Sequence, residues 1–295
     1  MDETPQRPLD VVIVGAPRSG TNMLRDVLTS LPGVATWPCD EINLVWRHGN
    51  RSEPSDELTA QQARPAVAAY VRGQFEKVRG RCDAPVVVEK TCATSLRVEF
   101  TRAVLPDAKY LFITRDGIDA AASSMDRWHA PFDLRYTAAK ARFVPPSDLP
   151  YYGARFVATQ LRRRASRTGQ TSRGEVTAWC GPKPRDGREI MRRHPLDEVC
   201  ALQWQRCVDA SRRGLAGMPD DQLHHVAYED FVSDPIGHTS EIVRFLGLPD
   251  ADVSEAVGGV SARSVGKGRA TLGHEAVARL EALVGPSLRE PGDGA

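Results

Sequence analysis

Residues 11–22, VVIVGAPRSGTN, constrain this chain more than any other stretch. An unbroken β-branched run, Val11 to Val14, suits a strand buried on both faces. A glycine- and proline-containing turn follows and passes directly into helical periodicity. A strand that ends in such a turn and opens a helix is built to cradle phosphate. The spacing Gly15-x-x-x-x-Gly20 matches the opening of a Walker A loop. However, Thr21 and Asn22 stand where a nucleoside-triphosphate loop carries Lys and then Ser or Thr. A cation, Arg18, sits inside the loop instead. Arg18, Ser19, Gly20, Thr21 and Asn22 can thus offer backbone N–H groups, a helix N-terminus and a guanidinium to one phosphate. They lack the parts that handle a metal-bound triphosphate, so the implied ligand carries something other than two more phosphates on its 5′-phosphate.

The rest of the chain repeats the strand–helix alternation. Met23, Leu24, Val27, Leu28 and Leu31 recur at helical spacing until Pro32-Gly33. Val34 to Trp37 reads as a second strand, and Ser55 as the N-cap of a helix over about 56–79 that Pro65 disturbs. Pro85 to Val88 predicts a buried strand, 94–104 a helix, Lys109 to Thr114 another strand, and Asp116 to about Trp128 its helix. After Leu196 come a long helix with one apolar face, a strand at Leu223 to Ala227, and a helix from Pro235 to Phe245 ended by Gly247. This order predicts an α/β fold: a P-loop-like, doubly wound parallel sheet flanked by helices. One domain covers 1–295, with tails at 1–9 and 287–295.

The stretch 129–195 breaks the rhythm, with a single predicted helix at about 151–166. Between Arg155 and Arg193, arginines and Lys183 far outnumber Glu175, Asp186 and Glu189. It is either a solvated surface insertion or a basic lid over an anionic donor or acceptor.

The formal net charge of +1 gives no reason to expect nucleic acid as a partner. No apolar run approaches the ~20 residues of a membrane span, and the polar start MDETPQRPLD lacks the layout of a secretory signal. The cysteines Cys39, Cys82, Cys92, Cys180, Cys200 and Cys207 form no C-x-x-C and no metal spacing, which predicts reduced thiols and no metal. A cytoplasmic, bacterial enzyme is the expectation.

Pro17-Arg18-Ser19-Gly20-Thr21 resembles the 5′-phosphosulfate loop of sulfotransferases that use 3′-phosphoadenosine 5′-phosphosulfate (PAPS). Further motifs follow in that family's order. Arg115-Asp116-Gly117 after a strand, with Ser123 on the next helix, is similar to its 3′-phosphate site. The Arg-Asp-Gly form and Arg127 are as in the tyrosylprotein branch, where other members read Arg-Asp-Pro. Tyr228-Glu229-Asp230 resembles the turn that brings a Tyr to the nucleotide, and Ser264 to Arg269 the C-terminal loop over the 3′-phosphate and adenine. The resemblance therefore implies that Arg115, Ser123, Arg127, Tyr228, Ser264 and Lys267 bind the donor together with residues 18–22.

Sulfuryl transfer needs a base for the acceptor hydroxyl and cations for the transferred group and leaving oxygen. The resemblance implies Glu41 as base, with Lys90 and Arg18 as the cations. Aligning Cys39-Asp40-Glu41-Ile42 with the family takes a two-residue insertion, so Asp40 is a rival, and His48 is a further candidate. In Glu89-Lys90-Thr91-Cys92, Cys92 stands where the family often has Pro, and Asn22 where it has Ser or Thr. The acceptor hydroxyl is left open between sugar, glycolipid and small natural product. The alternatives are a P-loop phosphotransferase and a non-catalytic nucleotide-binding protein of the same fold.

Overall fold

The computed structural model describes residues 7–129, 146–151, 153–154, 157 and 180–288. Five strands form one parallel sheet in the order β2-β3-β1-β4-β5. They are β1 (Leu9–Val14), β2 (Val34–Ala35), β3 (Val86–Lys90), β4 (Lys109–Thr114) and β5 (Leu223–Ala227). The central strand β1 pairs with β3 on one side, Val11 opposite Val88, and with β4 on the other, Ile13 opposite Leu111. The chain builds outward and back on the β3 side, then crosses to β4. The carboxyl end of β1 is thus the point where the winding reverses, the position at which open α/β sheets bind ligands.

Strand residues of alternating parity feed two cores. Val12, Val14, Tyr110 and Phe112 face Trp46, Phe75 and Phe100. Val11, Ile13, Leu111 and Ile113 face Leu24, Leu28, Phe231 and Leu246. Both faces being covered explains why β1 reads as a continuous apolar run rather than an alternation.

Helices α1 (Thr21–Thr29), α2 (Asn43–Trp46), α3 (Pro65–Cys82), α4 (Val98–Val104) and α5 (Gly117–His129) lie in the first half. Helices α6 (Gly187–Arg193), α7 (Leu196–Leu215), α8 (Tyr228–Ser233), α9 (Pro235–Leu246), α10 (Lys267–Leu272) and α11 (His274–Leu288) follow. Several expectations are corrected here. No helix starts at Ser55. Pro65 opens α3 at its first position, where a fixed φ fits and no N–H is needed, instead of disturbing it. Buried Asp56 meanwhile ties residues 55–57 to the return of the insertion, accepting from Lys183 N at 2.9 Å. The second strand stops at Ala35, and 94–104 divides into a 3₁₀ turn (Cys92–Leu96) and α4. The arginine-rich region contains α6, whereas most of the helix expected at 151–166 lies outside the described residues. At the ends, Leu9 already belongs to β1, and α11 runs on to Leu288. All six cysteines are free thiols.

Candidate active site

At the carboxyl edge of the sheet, a cavity of about 580 Å³ opens against the turn after β1. Arg18, Gly20, Thr21, Asn22, Asp40, Glu41, Lys90, Arg115, Ser123, Arg127, Tyr228 and Ser264 all line it. Residues more than two hundred positions apart in the sequence are therefore neighbours here.

The loop after β1 is held in a costly conformation. Arg18 has φ 67° and Gly20 φ 88°. A left-handed non-glycine residue costs on the order of 1 kcal/mol, and such strain gathers at functional sites. A Cβ on Gly20 would stand 2.5 Å from Cδ2 of Tyr228, so the loop backbone passes directly against that ring. The N-terminus of α1 opens at Thr21, and the first N–H groups of a helix have no partner within it.

Two guanidinium groups flank this loop. Arg18 Nε donates to Ser123 Oγ at 2.9 Å. Arg115 donates to Arg18 O at 2.9 Å and to Ser264 O at 2.7 Å, while its buried Nε has no hydrogen-bond partner. Tyr228 links the pieces: its hydroxyl lies 2.6 Å from Ser264 Oγ, and Arg115 Cζ stacks 4.5 Å from its ring centroid.

Across the cavity stands a carboxylate–ammonium pair. Glu41 Oε1 accepts from Lys90 Nζ at 3.3 Å and from Cys92 N at 3.2 Å. Burial works against charge on Lys90, but its neighbours outweigh this and raise its pKa. Desolvation, with Glu41 adding, pushes the Cys92 thiol up to about 12. Although half-buried at the cavity wall, Cys92 is a neutral thiol at pH 7, so the neighbours that keep Lys90 protonated are Glu41 and Asp40. Asp40 itself accepts from Asn22 Nδ2 at 3.2 Å and Arg25 Nη1 at 3.1 Å.

The remaining sequence-predicted residues lie elsewhere. His48 is off the cavity: its Nδ1 is 3.0 Å from Oδ2 of buried Asp148, which Arg51 also engages, and its ring packs on Tyr70. It serves as an anchor for residues 146–148. Lys267 is exposed at the start of α10. Ser19 is fully buried behind the loop, its hydroxyl without a hydrogen-bond partner.

Other residues at the site escaped the sequence reading. Buried Asp119 accepts from Gly266 N and Gly268 N, each at 2.6 Å, and so fastens the C-terminal loop to α5. Glu229 accepts from Asp116 N at 3.1 Å and joins the turn after β5 to the turn after β4. Gln203 donates to Cys180 O at 2.6 Å and Pro182 O at 3.0 Å, holding a turn that lines the cavity opposite the loop. A polar residue inside the apolar face of α7 is the signal that marks Gln203.

A glycine-containing loop at the switch point of a parallel sheet, flanked by guanidinium groups and faced by a carboxylate–lysine pair, sits on a P-loop-like α/β fold. The sequence model of the sulfotransferase family matches residues 8–144 and 185–252, and the chain belongs to that family. It is accordingly a sulfotransferase enzyme. The fold is similar to that of sulfotransferase STF9 from Mycobacterium avium, with 15% identity, a TM-score of 0.51, and 97% of this chain and 77% of that one covered. Sulfotransferase STF1 from Mycobacterium tuberculosis H37Rv is likewise similar, at 15% identity and a TM-score of 0.50 over 95% of this chain and 77% of that one. No curated protein matches the chain. Among the described residues, no helix is long and apolar enough to cross a membrane.

Proposed function

We propose that this enzyme moves a sulfuryl group from PAPS to an acceptor hydroxyl of a sugar, glycolipid or small natural product. The observation that carries this reading is the bond from Arg115 to Arg18 O, with Arg18 Nε on Ser123, around one cavity that also holds Glu41 and Lys90. The donor supplies an electrophilic sulfur on a good phosphate leaving group. The residues present suit such a ligand: Arg18, Lys90, Arg115 and Arg127 line the cavity, and a buried guanidinium nitrogen of Arg115 has no hydrogen-bond partner.

In this reading the N–H groups at the start of α1 and Arg18 hold the 5′-phosphate, while Arg115, Ser123, Arg127 and Ser264 bind the 3′-phosphate. Lys267, exposed on the same C-terminal loop, reaches in only through a movement of that loop. Tyr228 carries the adenosine end of the site. Lys90 stabilises the transferred group and, at rest, pairs with Glu41. Glu41 takes the acceptor proton. A carboxylate is a sufficient base because the proton need leave only as the hydroxyl oxygen bonds to sulfur.

The test is a thermal-shift comparison of adenosine 3′,5′-bisphosphate with ATP·Mg²⁺, followed by turnover of labelled PAPS over an acceptor panel. Stabilisation by the bisphosphate with transfer to a hydroxyl supports the reading. Stabilisation by ATP·Mg²⁺ alone would favour phosphotransfer, and bisphosphate binding without any turnover would favour a non-catalytic binding protein.

A further inference from the structure

We propose that Thr91 is the positioning residue for the base, fixing the backbone that carries Glu41 to the buried end of β3. This inference rests on the assignment of Glu41 as base.

Residues 36–42 belong to no strand or helix. The preceding edge strand contributes only Val34 and Ala35 to the sheet. A base on such a segment needs tethers, since a misplacement of about 1 Å can cost roughly 10²-fold in rate. The tethers come from three consecutive residues at the end of β3, Lys90 to Cys92. Lys90 and the Cys92 N–H hold the Glu41 carboxylate. Thr91 holds the main chain next to it: its Oγ1 accepts from Ile42 N at 3.1 Å.

With Glu89 ionised, the direction of the second bond is fixed. An N–H can only donate, so the Thr91 oxygen spends a lone pair on Ile42 and has its single proton free. That proton goes to Glu89 Oε1, 2.5 Å away. Thr91 and Glu89 are both fully buried, and Ile42 nearly so. In this dry setting a missing partner strands a buried donor or acceptor. The chain Glu89–Thr91–Ile42 thus runs from the sheet interior to the residue beside the base, through a hydroxyl that receives at one end while donating at the other.

The experiment compares Thr91→Val, Thr91→Ala and Thr91→Ser in the full chain. Val keeps the volume and removes both bonds. Ala leaves room for a water to bridge them. Ser retains both. Amide exchange over residues 39–43 needs no acceptor. It is expected to accelerate about tenfold or more in Thr91→Val, less in Thr91→Ala, and to stay at the wild-type rate in Thr91→Ser. With labelled PAPS and 4-nitrophenol as the probe acceptor, kcat should fall about 10²-fold in Thr91→Val. The Kd for adenosine 3′,5′-bisphosphate should hold, and Thr91→Ser should recover kcat. Wild-type exchange and wild-type kcat in both Val and Ala variants would overturn the inference. So would an equal loss of kcat and bisphosphate affinity, which marks general damage. Failure of the wild-type protein to bind the bisphosphate would instead sink the donor assignment, with the exchange result still judging the tether.

Discussion

Asp40 and Glu41 are chemically near-equivalent neighbours, and their partners are what separate them. Asp40 is committed to Arg25 and Asn22, on the α1 side of the cavity. Glu41 faces Lys90, the cation suited to the reacting group. Glu41→Gln is therefore expected to lower kcat by about 10²–10⁴-fold, the usual worth of a general base, with little change in bisphosphate affinity. Asp40→Asn should cost less than about tenfold, because the isosteric amide oxygen can still accept from Arg25 and Asn22. Lys90→Ala should resemble Glu41→Gln in kcat, since it removes a transition-state cation. Single-turnover rates with labelled PAPS, alongside calorimetric binding of the bisphosphate, measure all of these. A larger loss in Asp40→Asn than in Glu41→Gln would exchange the two roles. At this scale the sequence could nominate both carboxylates and His48. The resemblance put Glu41 first, but nothing local could set His48 aside, because the bond from His48 to Asp148 joins residues 100 positions apart.

Secondary elements were legible where local chemistry decides them. Lys109–Thr114 is a strand over the whole predicted range, and Asp116 begins the following helix as expected, its Oδ1 accepting from Ile118 N and Asp119 N at 2.9 Å. The helix sought at Ser55 failed because the buried partners of Asp56 are distant, and Pro65 read as a breaker was in fact a starter. Asp119 was invisible for a similar reason: its acceptor role appears only once residues 147 and 149 positions away fold back onto it. Because it bonds both amides, Asp119→Ala should loosen the Ser264 loop and weaken bisphosphate binding by about tenfold or more, at 1.5–3 kcal/mol per charged hydrogen bond. Calorimetry on the variant checks this, and unchanged affinity would detach that loop from the donor site. Strand β3 carries its own signature in Glu89, whose carboxyl is raised from 4.5 to about 7, burial being the main cause and the Thr91 hydroxyl the chief counterweight. A raised carboxyl pKa leaves folding unaffected below the unfolded value and penalises it as pH rises through the folded one. Wild-type stability should therefore decline between about pH 4.5 and 7 by up to ~3 kcal/mol, at 1.36 kcal/mol per unit. Glu89→Gln, which does not titrate, should gain on wild type over that window. Urea unfolding of both at pH 5 and pH 8 measures the gain, and a pH-independent difference would remove the charge on Glu89 from the account.

At the scale of the whole molecule, the proposed donor site is a clamp between distant parts of the chain. The order β2-β3-β1-β4-β5 sets β1 at the centre, so its loop meets Lys90 on one side and Arg115 with Tyr228 on the other. The succession of motifs in the sequence named most of the residues that line the cavity, while Ser19 and Lys267, named with them, do not line it. It did not foretell how they brace one another, since the contacts of Tyr228 with Gly20, Arg115 and Ser264 depend on packing that no local pattern encodes. Nor did a net charge of +1 disclose that Arg18, Lys90, Arg115 and Arg127 share one cavity, lined among the described residues by two carboxylates, Asp40 and Glu41. A ligand that satisfies those cations joins the N-terminal loop to the C-terminal half and must stabilise the entire fold. At a hundredfold excess over Kd the gain is about 2.7 kcal/mol, which for a chain of this size raises the thermal midpoint by roughly 5–10 °C. Tyr228→Ala should keep the sheet but remove the brace, so the same bisphosphate concentration yields a visibly smaller rise, by about 1.4 kcal/mol for each tenfold loss of affinity. The rise should also shrink with added salt, because exposed phosphate–cation contacts are screened. If Tyr228→Ala responds to the bisphosphate as fully as wild type does, the two phosphate pockets act separately and the clamp does not exist.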